Sequence, residues 1–299
     1  MIYVIGHKNP DTDSIASAIA YAWYLNQKGI EALPARNGEI NSETKFILEK
    51  FGFELPVLLE NADNQKLALV DHNEKEQQPI GNFEILEIWD HHKFNFSYPN
   101  PISIYSEPVG ATATLLAKRF FEQQTEIPKN ITALLISAIL SDTIIFKSPT
   151  TTTIDREVIN KLNQEWNFNL EELGKEIKMA GIDFNLSIKE LILRDLKEYI
   201  FSEKKIGIGQ FELIEVEKFL EKEEEIIRAM KEIKEEKKYD SLIFACTDIL
   251  KEGSEVFIIG QEKEIEKIFN KKLKDNSFWV DGLMSRKKQI VPLLETIFQ

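Results

Sequence analysis

The feature that most constrains this chain is a set of short apolar runs, each stopping at a cluster of aspartate and histidine. The first, Ile2-Tyr3-Val4-Ile5, is broken by Gly6 and followed by the polar turn His7-Lys8-Asn9-Pro10-Asp11-Thr12-Asp13-Ser14. The second, Leu67-Ala68-Leu69-Val70, ends in Asp71-His72-Asn73-Glu74, and the third, Ile85 to Trp89, ends in Asp90-His91-His92. Apolar runs this short read as strands buried on both faces of a parallel sheet. After the first turn, Ile15, Ile19, Ala22 and Leu25 recur at helical spacing, with Gly29 placed to close the helix. Strand, turn, helix is the opening of an α/β fold, so the expectation is an N-terminal parallel sheet with helices on both faces. Ligands in such sheets bind outside the carboxyl ends of the strands, where these clusters would converge. The apolar run Ala133–Leu140 reads as either a helix or a buried strand, and its terminal Ser141-Asp142-Thr143 adds a fourth cluster.

The 299 residues are expected to form two domains. The pattern changes near Gly181-Ile182-Asp183-Phe184-Asn185-Leu186-Ser187, which reads as a connection. The expected division is residues 1–183, a linker at 184–189, and residues 190–299 as a smaller α/β domain with a mixed sheet. Strands are expected at Ile206–Gln210, Leu242–Ala245 and Glu255–Ile259. Between them the charged stretch Glu215–Lys238 keeps Phe219, Ile226, Met230 and Ile233 at helical spacing, the pattern of one amphipathic helix.

Composition removes several function classes. A formal charge of −13 argues against nucleic acid as the main partner, because duplex binding draws most of its affinity from basic contacts to phosphate. No apolar run approaches the roughly 18 residues of a membrane span, and no signal-peptide pattern opens the chain. The single cysteine, Cys246, lies within Leu242-Ile243-Phe244-Ala245-Cys246 and reads as a small buried hydrophobe, which suits a reducing cytoplasm. All four histidines, His7, His72, His91 and His92, lie in the first third, beside aspartates.

Taken singly, each cluster has a plain structural reading. Asn9-Pro10-Asp11 is turn chemistry, and Asp13 or Ser14 suits a helix cap. Their recurrence at the ends of apolar elements is harder to ascribe to accident. Carboxylate and imidazole without thiolate exclude a cysteine-type zinc site and favour Mn²⁺, Mg²⁺, Co²⁺ or Fe²⁺. Near the other end, Ser285-Arg286-Lys287-Lys288-Gln289 is a local basic run in an acidic chain, suited to a polyanion opposite a metal site.

Together, Gly6-His7-Lys8-Asn9-Pro10-Asp11-Thr12-Asp13-Ser14, Val70-Asp71-His72-Asn73-Glu74, Asp90-His91-His92 and Ser285-Arg286-Lys287-Lys288-Gln289 resemble the family II, manganese-dependent inorganic pyrophosphatases of the DHH phosphoesterase superfamily. The resemblance implies a DHH catalytic domain followed by a DHHA2-type substrate-binding domain. It implies two Mn²⁺ ions, with Co²⁺ or Mg²⁺ as alternatives, and a further Mg²⁺ arriving with pyrophosphate. His7 and Asp11 would hold the first ion, Asp13, His91 and Asp142 the second, and Asp71 would bridge them. His92, Lys197, Arg286 and Lys287 would face the substrate, and His72 would orient a ligand. The implied reaction is hydrolysis of pyrophosphate to two phosphates by a bridging hydroxide, with the two domains closing over the substrate. A homodimer through the N-terminal domain is also implied. The interval from Asp13 to Asp71 is too short for an inserted nucleotide-binding module. The rival phosphodiesterase and exopolyphosphatase branches carry a His-containing glycine-rich motif in the C-terminal domain, and this chain has no histidine after His92.

Overall fold

Val4 and Ile5 are fully buried, and their run forms β1 (Ile2–Lys8) inside a six-stranded sheet. In the computed structural model, which describes residues 1–181, 186–214 and 216–296, the sheet continues with β2 (Ala32–Asn37), β3 (Val57–Leu58), β4 (Lys66–Val70), β5 (Glu84–Asp90) and β6 (Ser103–Ser106). All neighbours run parallel, in the order β3-β2-β1-β4-β5-β6. The order reverses between β1 and β4, where Tyr3, Val4 and Ile5 pair with Leu67, Ala68 and Leu69. Crossovers leave this point in opposite directions, opening a crevice at the carboxyl ends of the two strands.

The helices of this unit are α1 (Thr12–Gln27), α2 (Ser42–Phe51), α3 (Thr112–Glu122), α4 (Lys129–Asp142), α5 (Thr153–Asn163) and α6 (Leu170–Ala180). Asp11 caps α1 by accepting the Ser14 N–H at 3.0 Å, and Gly29, at φ 76°, follows its C-terminus. The run Ala133–Leu140 is therefore part of a helix. Every residue of α4 from Ile131 to Ser141 is buried, which erases the one-sided pattern that would have marked it. α1 and α3 pack on the sheet, and α4 packs on both. Ile5, Leu67, Leu69, Ile85 and Ile88 form a buried cluster on this sheet, with Leu59, Phe83, Phe96, Tyr98 and Ile102 packed against it. The crossovers β4–β5 and β5–β6 are short, and the only helical turn within them is the 3₁₀ turn Lys75–Gln77.

The second unit, Asp183–Gln299, has its own sheet. Its elements are α7 (Ile188–Arg194), β7 (Leu196–Phe201), β8 (Lys204–Leu213), α8 (Val216–Leu220), α9 (Glu223–Lys237), β9 (Ser241–Asp248), β10 (Gly253–Ile259), α10 (Glu262–Phe269), β11 (Ser277–Asp281) and α11 (Val291–Glu295). The sheet is mixed, in the order β11-β10-β9-β8-β7, with β8–β9 parallel and the other pairs antiparallel. Ile206, Ile208, Ile243, Val256 and Ile258 build its core with Ile265, Ile290 and Leu294. Cys246 is fully buried. The charged stretch is two helices instead of one; Glu215 lies outside the described residues. Lys222 leaves helical geometry at φ −98°, ψ 22°, and Glu223, Glu224 and Glu225 then start α9, where acidic side chains favour the positive end of a helix. The expected linker residues 184 and 185 also lie outside the described residues, and no described helix is long and apolar enough to cross a membrane.

Candidate metal centre

β1 delivers His7, the N-terminus of α1 delivers Asp11 and Asp13, and the residue after β4 is Asp71. β5 ends at Asp90, so His91 and His92 follow at the same rim, and α4 ends at Asp142. These side chains form two donor sets that share one residue. His7, Asp11 and Asp71 make one, and Asp13, Asp71, His91 and Asp142 the other, with donor atoms in each set within 4.8 Å of one another. His7 Nε2 lies 3.5 Å from both Asp11 Oδ1 and Asp71 Oδ2. His91 Nε2 lies 3.4 Å from Asp71 Oδ1 and 3.7 Å from Asp142 Oδ2. Donors around an octahedral ion with bonds near ~2.1 Å stand roughly 3 Å apart, so the spacing suits metal ions.

Hydrogen bonds aim the candidate donors. His7 Nδ1 is 2.9 Å from the Lys8 carbonyl and His91 Nδ1 is 2.9 Å from the Val109 carbonyl, so Nδ1–H donates in both and Nε2 faces the centre. Asp13 is fully buried and accepts the Thr112 and Ala113 N–H groups, the first of α3, at 2.5 and 2.9 Å. The Thr112 hydroxyl donates to Asp71 Oδ1 at 3.0 Å. Asp71 itself sits at φ 62°, a left-handed conformation that aspartate tolerates better than most residues. Gly6 is required by close packing, since a Cβ there would meet Ser14 Oγ at 1.8 Å.

The electrostatics are those of a site built for cations. Burial opposes charge on His7, but Asp11 and Asp71 outweigh it and raise its pKa to about 11. His91 is likewise raised to about 9, chiefly by Asp71 and Asp13 against burial. Burial pushes Asp71 upward, yet His7 and His91 hold it well below the usual carboxylate range. Asp13 and Asp142 go the other way, raised by burial and by neighbouring carboxylates. Asp142 also ends a helix, where the backbone dipole disfavours an anion and welcomes a cation. Asp71 Oδ2 and His91 Nε2 are buried without a hydrogen-bond partner among the described residues. Orphaned donor atoms in a polar cluster are what a metal ion would satisfy.

His92 stands at the edge, its side chain 49 % exposed, with Nδ1 and the backbone N–H both on Asp90 Oδ1 at 2.9 and 3.1 Å. Geometry also groups it with Asp71 and His91, but its Nδ1 is held by Asp90. Asp90 is buried and receives the Asn73 amide at 2.5 Å. His72 bonds the Val70 carbonyl at 2.9 Å, and among the described residues no candidate donor. Thr112, Asn73 and Asp90 were not singled out from sequence for these roles.

In the second unit Arg286 and Lys197 share a neighbourhood. The Arg286 guanidinium donates to the carbonyls of Asp195 and Ile208, and to the Asp195 carboxylate at 3.1 Å. Lys197 is the strand partner of Ile208 and is exposed. The Arg286 N–H donates to Gln210 Oε1 at 2.8 Å, fixing the start of the basic run. The Lys287 side chain lies outside the described residues.

Comparison with known proteins gives the family. The model of the DHH family N-terminal domain matches residues 1–139, and that of the DHHA2 domain matches residues 175–297. A manganese-dependent inorganic pyrophosphatase of Methanocaldococcus jannaschii is 44% identical over 310 residues, covering 100% of this chain and 99% of that protein. One of Bacillus subtilis is 40% identical over 300 residues, covering 98% and 97%. The crystal structure of a putative family II inorganic pyrophosphatase of Methanococcus jannaschii matches with a TM-score of 0.67 at 43% identity, covering 100% of this chain and 99% of that one. With full-length identity at this level and both domain models in order, the chain belongs to the family II, manganese-dependent inorganic pyrophosphatases.

Proposed function

We propose that this chain hydrolyses inorganic pyrophosphate to two phosphates. The observation that carries the reading is the pair of donor sets joined at Asp71. His7, Asp11 and Asp71 would hold one Mn²⁺, and Asp13, His91, Asp142 and Asp71 the other, with Co²⁺ or Mg²⁺ as substitutes. Bound there, the ions supply Lewis-acid activation of water and neutralisation of charge developing at phosphorus. The residues of the chain do the rest. Lys8 and Val109 carbonyls fix the imidazoles in the tautomer that presents Nε2. Asp90 favours the charged form of His92 and holds it at the rim, where Nε2–H can donate to a phosphate oxygen.

Lys197, Arg286 and Lys287 complete the proposal as the cationic grip on the substrate. Pyrophosphate would arrive with a further Mg²⁺, and domain closure would bring these cations to it and exclude water. A catalytic domain at 1–183 and a substrate domain at 190–299 fit this division of labour. A homodimer through the N-terminal domain and a cytoplasmic location belong to the same reading. The test is phosphate release from pyrophosphate with Mn²⁺, Co²⁺, Mg²⁺ or Zn²⁺ added to metal-free protein, beside the Asp71→Ala variant. Turnover should be highest with Mn²⁺ or Co²⁺, and Asp71→Ala should lose metal uptake and turnover together. An Asp71→Ala protein that kept two ions and full turnover would refute the shared-ligand assignment.

A further inference from the structure

Beside the candidate metal centre lies a second, largely buried charge cluster whose hydrogen bonds involve none of the candidate donor atoms. Glu43, in the first turn of α2, places Oε1 within 2.9 Å of the Thr12 hydroxyl and also accepts the Ser141 hydroxyl. Its Oε2 lies 3.1 Å from Lys178 Nζ, which also reaches Ser141 Oγ at 3.4 Å. The pair is largely buried, the Lys178 side chain 18 % and the Glu43 side chain 12 % exposed. One carboxylate thus joins four helices, α1 through Thr12, α2 through itself, α4 through Ser141 and α6 through Lys178.

The two hydroxyls sit at telling places. Thr12 lies between Asp11 and Asp13, and Ser141 immediately precedes Asp142. By accepting both, Glu43 sets the distance between the N-terminus of α1 and the C-terminus of α4. Those two ends carry Asp13 and Asp142, which belong to the same donor set. A lone carboxylate at this depth would be costly, and Lys178 supplies the counter-charge.

We infer that Glu43 and Lys178 are positioning residues for the second metal site, acting through Thr12 and Ser141 on Asp13 and Asp142. The inference rests on the metal-binding reading above and deepens it. It predicts an asymmetry, because Asp142 serves only the second site. The experiment is calorimetric titration of Mn²⁺ into the metal-free full-length protein, with a thermal melt of each metal-free variant. Glu43→Leu/Lys178→Met removes the acceptor and both charges at similar volume, so no unpaired charge is left buried. It should weaken the second Mn²⁺ equivalent at least tenfold and leave the first within threefold, whereas Lys178→Arg should keep both. Ser141→Ala carries the same expectation if the double replacement does not fold. A purely structural role would lower the melting temperature with both affinities unchanged, and a second equivalent within threefold of the parent in the folded variants would overturn the inference. Uptake of fewer than two ions by the parent protein would instead overturn the metal-binding reading on which it rests.

Discussion

Loading the centre with metal should expel protons, and the structure says how many and from where. Metal ligands bind unprotonated, so each proton they hold in the metal-free protein must leave. With pKa values raised to about 11 for His7 and about 9 for His91, both imidazoles are charged at neutral pH. At 1.36 kcal/mol per pH unit, removing the proton at pH 7 costs about 5 kcal/mol at His7 and about 3 kcal/mol at His91. The first ion should therefore release about one proton, and its log K should rise by about 1 per pH unit from pH 6 to 8. The second site includes His91, so its ion should also release about one proton. Titration of Mn²⁺ in two buffers of different ionisation enthalpy counts these protons. Release below half a proton per ion, with flat affinity over that range, would refute the charge arrangement. The same groups tune the metal-free fold. The raised His7 contributes stability that is complete below pH 6.5 and lost as pH rises through about 11. The depressed Asp71 contributes stability that is present above pH 3.8 and lost as pH falls further.

Two other substitutions separate roles within the centre. His92→Gln removes a charged donor worth ~1.5–3 kcal/mol, so kcat should fall about 10- to 100-fold while two Mn²⁺ still bind; loss of an ion would make His92 a ligand instead. Gly6→Ala puts a methyl group on Ser14 Oγ and should destabilise the fold by about 1–3 kcal/mol in a denaturant melt; a change under about 0.5 kcal/mol would mean that β1 and α1 are not packed as described.

Much of the clustering of candidate donors was legible because these residues sit at element ends, where pattern and chemistry change together. His7, Asp71 and His91 each follow an apolar run, and the sheet order explains why those runs converge. Asp142 was legible as a cluster but not as a helix end, since α4 is buried all round. What stayed hidden acts through the backbone or across long separations. Thr112 orients Asp13 with an N–H that every residue except proline carries, and the two are 99 positions apart. The Glu43–Lys178 pair spans 135 positions within runs of ordinary surface charge. The split of the charged stretch into α8 and α9 turns on one residue, Lys222, whose side chain gives no signal of a break.

The central claim is that this centre cleaves a phosphoanhydride, in preference to the phosphodiester bond of a dinucleotide. Purified full-length protein, loaded with Mn²⁺, should be given pyrophosphate and pApA in parallel, with phosphate and AMP measured. Rapid phosphate release from pyrophosphate, at a kcat/KM at least a thousandfold above any cleavage of pApA, is the expected result. Comparable or faster cleavage of pApA, or no hydrolysis of pyrophosphate by protein that has bound two ions, would contradict it.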